Sequence, residues 1–265
     1  MWYRFWTYIR HLLTAWNTTG EGIHSPRLFY LVRFLMRDKN AYYAWSAIEK
    51  QRALLQACED EIEVIDYGSG GAKEGLAVRR KVCDIAKNHL ETPAMGQLLF
   101  RLALHLGEEA RRPIAVLELG TSLGITTAYL ASADSRNQVV TLEGSQALAE
   151  KASAVASALG LKNIECVVGN IDNTLATHAA KRLNLVFVDA NHSYEATMRY
   201  VDFLLPRMTE QGILVIDDIH HSPEMERAWR ELKQDKRVTT TMDVWHAGLV
   251  FVDEHYLKRH YRIRV

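Results

Sequence analysis

The second half of the chain alternates short apolar runs with amphipathic stretches, and this alternation limits the fold more than any other feature. Strand-like runs stand at Ile114–Leu119, Val139–Glu143, Ile164–Val168, Leu185–Asp189 and Ile213–Ile216. Helical stretches lie between them near Ile125–Ala133, Gln146–Leu159, Ile171–Ala180 and Tyr194–Leu205, with another at Pro223–Leu232. Strands joined through helices run parallel and are covered on both faces. Val238–Met242 and Leu249–Val252 flank the short linker Asp243–Gly248 and read as an antiparallel pair closing the sheet. The expected fold is α/β: a doubly wound, mostly parallel seven-stranded sheet with an antiparallel last strand.

The first part reads differently. Residues 1 to about 90 show helical periodicity without strand–helix alternation. Trp2, Phe5, Trp6, Ile9, Leu12, Leu13 and Trp16 share one broad helical face. Ser25 before Pro26 predicts a capped helix to about Met36, and a third helix covers Ala44 to Ala57. Glu63 to Gly68 looks like a short strand entering a glycine turn at Gly68-Ser69-Gly70-Gly71. Ala72 to Leu90 then reads as charged and helical, with no second strand and no acid at the distance a nucleotide site needs. This divides the chain into an N-terminal helical extension, 1–92, and a main domain, 93–265. The aromatic face of residues 2–16 is expected to pack as core or lid, ahead of a homodimer interface or peripheral membrane contact through residues 1–16.

Composition removes several classes. The chain has 265 residues, 32 Lys+Arg against 32 Asp+Glu, and 48% hydrophobic residues. That excludes a disordered chain and argues against a nucleic-acid binder, which would carry a basic excess. Residues 1–40 hold six cations against two anions, a local net of +4. Cys58, Cys83 and Cys166 are too few and too scattered for a disulfide framework or a zinc pattern, which suits a reducing, cytoplasmic location. No run is long enough to span a membrane. Arg4, Arg10 and His11 interrupt the N-terminal apolar stretch, so it does not read as a signal peptide.

The strongest local signal is Glu118-Leu119-Gly120-Thr121-Ser122-Leu123-Gly124, where an apolar strand ends in a glycine loop and a helix begins. Gly120 permits the sharp turn; Gly124 permits either close approach of a ligand or close packing of the helix. The spacing G-x-x-x-G lacks the middle glycine of a pyrophosphate cradle. Glu143 ends the following strand, 19 residues past Gly124. A carboxylate there can accept both hydroxyl hydrogens of a ribose. Together the loop and the acid favour an adenosine-type cofactor.

The segment from about Met95 to Val252 resembles the class I S-adenosylmethionine-dependent methyltransferases, in their O-methyltransferase-like branch, and so implies a Rossmann-like sheet. In that resemblance Glu118, Gly120, Thr121, Ser122 and Gly124 form the first cofactor motif. Glu143, followed by Gly144, holds the ribose, and Gly169, Asn170 and Ile171 flank the adenine, with Asn170 where many members have Asp. Phe187 to Glu195 resembles the motif after the fourth strand in catechol-type and sugar-modifying relatives, which places Asp189 near the cofactor's methyl group.

Three acids end strands of one sheet: Asp189, Asp217 and Asp218. Hard carboxylate oxygens suit Mg²⁺, and the catechol-type resemblance puts these three at metal-ligand positions, with Asp218 where Asn is usual. His192, His220 and His221 crowd the same region, and an imidazole can take a hydroxyl proton near neutral pH. Two versions stay open. In one, Mg²⁺ stabilises the oxyanion of a small-molecule acceptor; in the other, no metal is needed and His192 or His220 is the general base, with Asp189 beside it. The alternatives by function are a catalytically silent S-adenosylmethionine-binding module and another adenosine-cofactor transferase, such as one transferring an aminopropyl group. A nicotinamide oxidoreductase would want the missing G-x-G-x-x-G loop.

Overall fold

The computed structural model describes residues 2–66 and 76–264. In chain order the elements are α1 (Trp2–Thr14), α2 (Pro26–Tyr30), a π-helical turn at Leu31–Leu35, α3 (Tyr43–Gln56), β1 (Glu61–Asp66), β2 (Leu76–Lys81), α4 (Val82–Asn88), α5 (Pro93–Ala110), β3 (Ala115–Leu119), α6 (Ile125–Ser132), β4 (Gln138–Glu143), α7 (Gln146–Ala158), β5 (Ile164–Val168), α8 (Ile171–His178), β6 (Leu183–Val188), α9 (Tyr194–Leu204), β7 (Met208–Asp217), α10 (Pro223–Gln234), β8 (Thr240–Asp243), β9 (Ala247–Phe251) and β10 (Arg259–Arg262). The main sheet has eight strands in the order β10-β8-β9-β7-β6-β3-β4-β5. β3, β4 and β5 run parallel, as do β6 and β7, while β9 is antiparallel to both β7 and β8.

The sheet is thus mostly parallel and Rossmann-like, as the alternation implied, with one strand more than expected. β10 pairs in parallel with β8 at the edge. Its sequence, Arg-His-Tyr-Arg, has no apolar run to announce it, because an edge strand needs little burial.

The chain falls into two compact units. One is Asn40–Lys181; the other joins Met1–Lys39 to Arg182–Val265. The stretch expected as one extension over 1–92 is therefore shared between them.

In the unit Asn40–Lys181, Ile48, Phe100, Leu123, Ile125 and Tyr129 form a buried core. α6 is buried on nearly every side, from Ile125 to Ala131, as expected of a helix that is apolar all round. The region expected to be helical from Ala72 to Leu90 instead contains β2, which pairs antiparallel with β1 in a separate two-stranded sheet, and only then α4. Charged side chains are tolerated in β2 because most of it is exposed. The glycine turn at Gly68–Gly71 lies outside the described residues.

In the other unit, Ser25 caps α2 as expected, with its side chain accepting from the Leu28 N–H. The helix then widens into the π-turn, closed by Met36 N–H donating to the Leu31 carbonyl at 2.8 Å. The expected packing of the aromatic face of α1 is not found. Trp2 and Trp16 are 77% and 78% exposed, and Phe5, Trp6 and Leu13 are also outward; the buried residues of α1 are Thr7 and His11. The polar face turns inward because charged partners await it there: Arg4 meets Asp218, Arg10 meets Glu226 and His11 meets Asp243.

Gly248 of β9 shows how tightly this unit packs. A Cβ there would sit 2.5 Å from the ring of Trp229 on α10. The indole is buried and hemmed in, so it has little room to move. Gly248→Ala should cost about 1–3 kcal/mol by overpacking, read as a lower midpoint in urea unfolding. A midpoint unchanged from wild type would show that α10 yields without cost.

Candidate functional site

Within the unit Asn40–Lys181, the loop after β3 is held by a series of backbone constraints. Gly120 and Gly124 take positive φ of 95° and 79°, and Ser122 does so without being glycine, at 50°. Gly120 N–H donates to the Leu142 carbonyl, and Gly124 N–H to the Thr121 carbonyl, each at 2.9 Å. A Cβ on Gly124 would lie 2.7 Å from the Cβ and 2.8 Å from the Cα of Ala152 on α7. Gly124 therefore serves helix packing.

Glu143 closes this loop. One carboxylate oxygen accepts the Ser122 N–H at 2.8 Å and the other the Ser145 N–H at 2.9 Å. Its own carbonyl accepts the Gly169 N–H at 2.8 Å. Gly144, next in sequence, is half-buried. Gly169 has φ 142°, and Asn170 caps α8 by accepting the Asp172 N–H at 2.9 Å. Its carbonyl oxygen, expected to reach an adenine amino group, is thus already a cap acceptor. Ile171 opens α8.

Glu118 and Thr121 point elsewhere. Glu118 is fully buried and accepts hydrogen bonds from the hydroxyls of Thr127 and Thr141. Thr121 bonds to Thr141 at 2.5 Å between oxygens. These contacts tie β3, α6 and β4 together. Burial pushes the Cys166 thiol up from its ordinary value.

Within the other unit, Asp189 directly follows β6 and Asp217 ends β7. His192 Nε2 lies 3.3 Å from an oxygen of Asp189, and Asp189, His192 and Asp217 each bring one ligand atom within 4.8 Å of the others. Asp218 does not join them. It takes φ 50° and faces Arg4 at 3.4 Å and His221 Nδ1 at 3.2 Å. The His221 ring stacks on His192, with centroids 5.9 Å apart. His220 turns inward, Nε2 to Asp243 at 2.9 Å and Nδ1 to Glu226 at 3.1 Å, so both of its nitrogens are engaged away from Asp189. Sequence reading missed Ser145, Arg4, His11 and Asp243 in these networks, since no motif spacing links them. Asn191, Asp218 and Trp245 also have positive φ, a strain that collects at functional loops.

A family model described as a methyltransferase domain matches residues 117–219. The chain carries a segment similar to a methyltransferase domain. It is 34% identical over 113 residues to a catechol O-methyltransferase of Mycobacterium tuberculosis, a match covering 42% of this chain and 49% of the relative. The chain thus spans about half the length of the curated relative it matches. Among solved structures, it is similar in fold to an O-methyltransferase from Bacillus cereus in complex with S-adenosylhomocysteine, at 17% identity and TM-score 0.55, covering 83% of this chain and 94% of that one. It is also similar to the O-methyltransferase TomG from Streptomyces achromogenes in complex with S-adenosylmethionine, at 19% identity and TM-score 0.55, with 80% and 91% covered. The segment 117–219 that this model matches contains the glycine loop, Glu143, Asp189, His192, Asp217 and Asp218.

The buried Glu118 carboxylate makes a direct test of the loop's support. Thr141→Val removes one of its hydroxyl donors while nearly preserving shape, and should cost about 1–3 kcal/mol in chemical unfolding. A cost within a few tenths of wild type would show that Glu118 does not depend on it.

Proposed function

We propose that the chain is an S-adenosylmethionine-dependent methyltransferase acting on a hydroxyl of a small molecule. The observation that carries this reading is the pairing of the Gly120–Gly124 loop with Glu143, a strand-end carboxylate fixed by the Ser122 and Ser145 N–H groups. When bound, S-adenosylmethionine supplies a methyl group made electrophilic by its sulfonium. The backbone from Gly120 to Ser122 lines its approach, Glu143 takes the ribose, and Gly169, Asn170 and Ile171 flank the adenine.

On the acceptor side, Asp189 and His192 form the proton-accepting pair. The carboxylate fixes the imidazole's orientation and stabilises its charged form as the hydroxyl proton arrives. Asp189 and Asp217 are the residues that would hold Mg²⁺, with waters filling the remaining positions; the cation would stabilise the developing oxyanion. Asp218 is occupied by Arg4 and His221, and His220 by Asp243 and Glu226, so neither is assigned to this step. Cytoplasmic residence accords with the three free cysteines. Among the described residues, no helix is long and apolar enough to cross a membrane.

The outward aromatic face of α1 is an association surface in this reading, for a second copy of the chain or for a membrane headgroup layer. Sedimentation velocity with and without anionic vesicles separates the two: concentration-dependent dimers support the first, vesicle binding lost in Trp2→Ala/Trp6→Ala supports the second. A monomer that ignores vesicles contradicts both.

Turnover is tested with labelled S-adenosylmethionine and a panel of catechol, sugar and phenolic hydroxyl acceptors, reading S-adenosylhomocysteine release. Glu143→Ala should raise KM for S-adenosylmethionine about tenfold or more. His192→Gln should lower kcat by about 10² or more with that KM nearly unchanged. Binding without turnover for every acceptor would favour the silent module.

A further inference from the structure

One buried cluster has no part in the proposed methyl transfer. His11 of α1, His220 of the loop after β7 and Asp243 at the end of β8 are 4%, 8% and 4% exposed, all within one compact unit. They come from three distant parts of the chain, so no sequence motif announces them.

Their hydrogen bonds fix which nitrogen does what. His11 Nε2 faces the Ile263 carbonyl at 3.1 Å; a carbonyl only accepts, so this nitrogen carries the hydrogen. His220 Nδ1 faces Glu226 at 3.1 Å, and Glu226 is itself paired with Arg10, so this nitrogen also donates. In neutral rings the two other nitrogens, His11 Nδ1 and His220 Nε2, then carry lone pairs. Both point at one carboxylate: His11 Nδ1 is 3.2 Å from Asp243 Oδ1, and His220 Nε2 is 2.9 Å from Oδ2. The Trp245 N–H donates to Oδ1 at 3.0 Å and steadies that carboxylate.

Two nitrogen lone pairs facing two carboxylate oxygens at such distances repel unless positive charge lies among them. Arg262 supplies part of it from one side, with its Nε 3.9 Å from Oδ2 and its Nη1 on the Thr14 hydroxyl at 2.6 Å. Protons within the cluster or a cation bound between the rings and the carboxylate supply the rest. The outer contacts favour the cation. Histidines that bind metal donate their second N–H to a backbone carbonyl or a carboxylate, and here one histidine does each. The ligand atoms all lie within 4.8 Å of one another; a tetrahedron with bonds of about 2.0 Å has edges of about 3.3 Å.

We propose that His11, His220 and Asp243 bind one Zn²⁺ ion, with Glu226 and the Ile263 carbonyl orienting the two imidazoles. Two imidazole nitrogens and a carboxylate are a donor set suited to zinc. With three protein ligands the fourth position falls to a water, and the ion ties α1 to the end of β8 and to the loop that carries Asp218. It is separate from the Asp189–His192–Asp217 group, which shares none of its ligands.

The test uses the full chain, stripped with chelator and then dialysed against micromolar free Zn²⁺, with bound metal measured by mass spectrometry. Wild type and Asp189→Asn should each retain one Zn²⁺ per chain and gain thermal stability from it. His11→Gln and Asp243→Asn should lose stoichiometric zinc, and Glu226→Gln should weaken zinc affinity about 10–100-fold. Should the ligand variants fail to fold, Co²⁺ loaded into wild type decides: intense tetrahedral visible bands support the site, weak octahedral ones overturn it. Folded wild type that holds no zinc, or His11→Gln and Asp243→Asn that hold it fully, would overturn the proposal.

Discussion

The Glu143 carboxylate sets the geometry of the loops around it. It ends β4, and its two oxygens hold the Ser122 and Ser145 N–H groups at 2.8 and 2.9 Å. The first bond keeps the loop after β3 in place although Ser122 sits at φ 50°; the second fixes the turn into α7. Its carbonyl, through Gly169, fixes the turn after β5. One residue thus registers the carboxyl ends of three parallel strands, where ligands bind in sheets of this kind. Beneath it, Glu118 and its threonine partners hold β3, α6 and β4 together, and Gly124 brings α6 against Ala152.

The unit formed by residues 1–39 and 182–265 is organised around charge. The acids at the ends of β6 and β7 divide between two tasks. Asp189 and Asp217 stay with His192, whereas Asp218 is drawn off by Arg4 and His221. Asp243 gathers the His11 and His220 rings, whose nitrogens lie 3.2 and 2.9 Å from its two oxygens. This network is why α1 presents its polar side to the protein and leaves its tryptophans outside.

Much of the sheet was legible because parallel, doubly covered strands are continuous apolar runs, and because Glu143 and the glycine loop stand at a readable spacing. What was not legible has identifiable causes. β2 and β10 are exposed or edge strands rich in Arg and Lys, so no apolar pattern marks them. The orientation of α1 was misread because hydrophobicity was taken to choose its buried face, when ion pairs with Asp218, Glu226 and Asp243 choose it. Asp218 and His220 stood beside plausible partners in sequence, but the left-handed backbone at Asp218 and the pull of Asp243 on His220 turn them to other neighbours.

The central claim is that the Gly120–Glu143 arrangement is built for an adenosine sulfonium cofactor and not for a dinucleotide. Isothermal titration of the purified chain with S-adenosylhomocysteine, and in parallel with NAD, tests it most directly. The account predicts one saturable S-adenosylhomocysteine site per chain and far weaker association with NAD, because the loop lacks the glycine that lets backbone reach a pyrophosphate. No heat from S-adenosylhomocysteine at millimolar concentration, or binding of NAD that equals or exceeds it, would contradict the account.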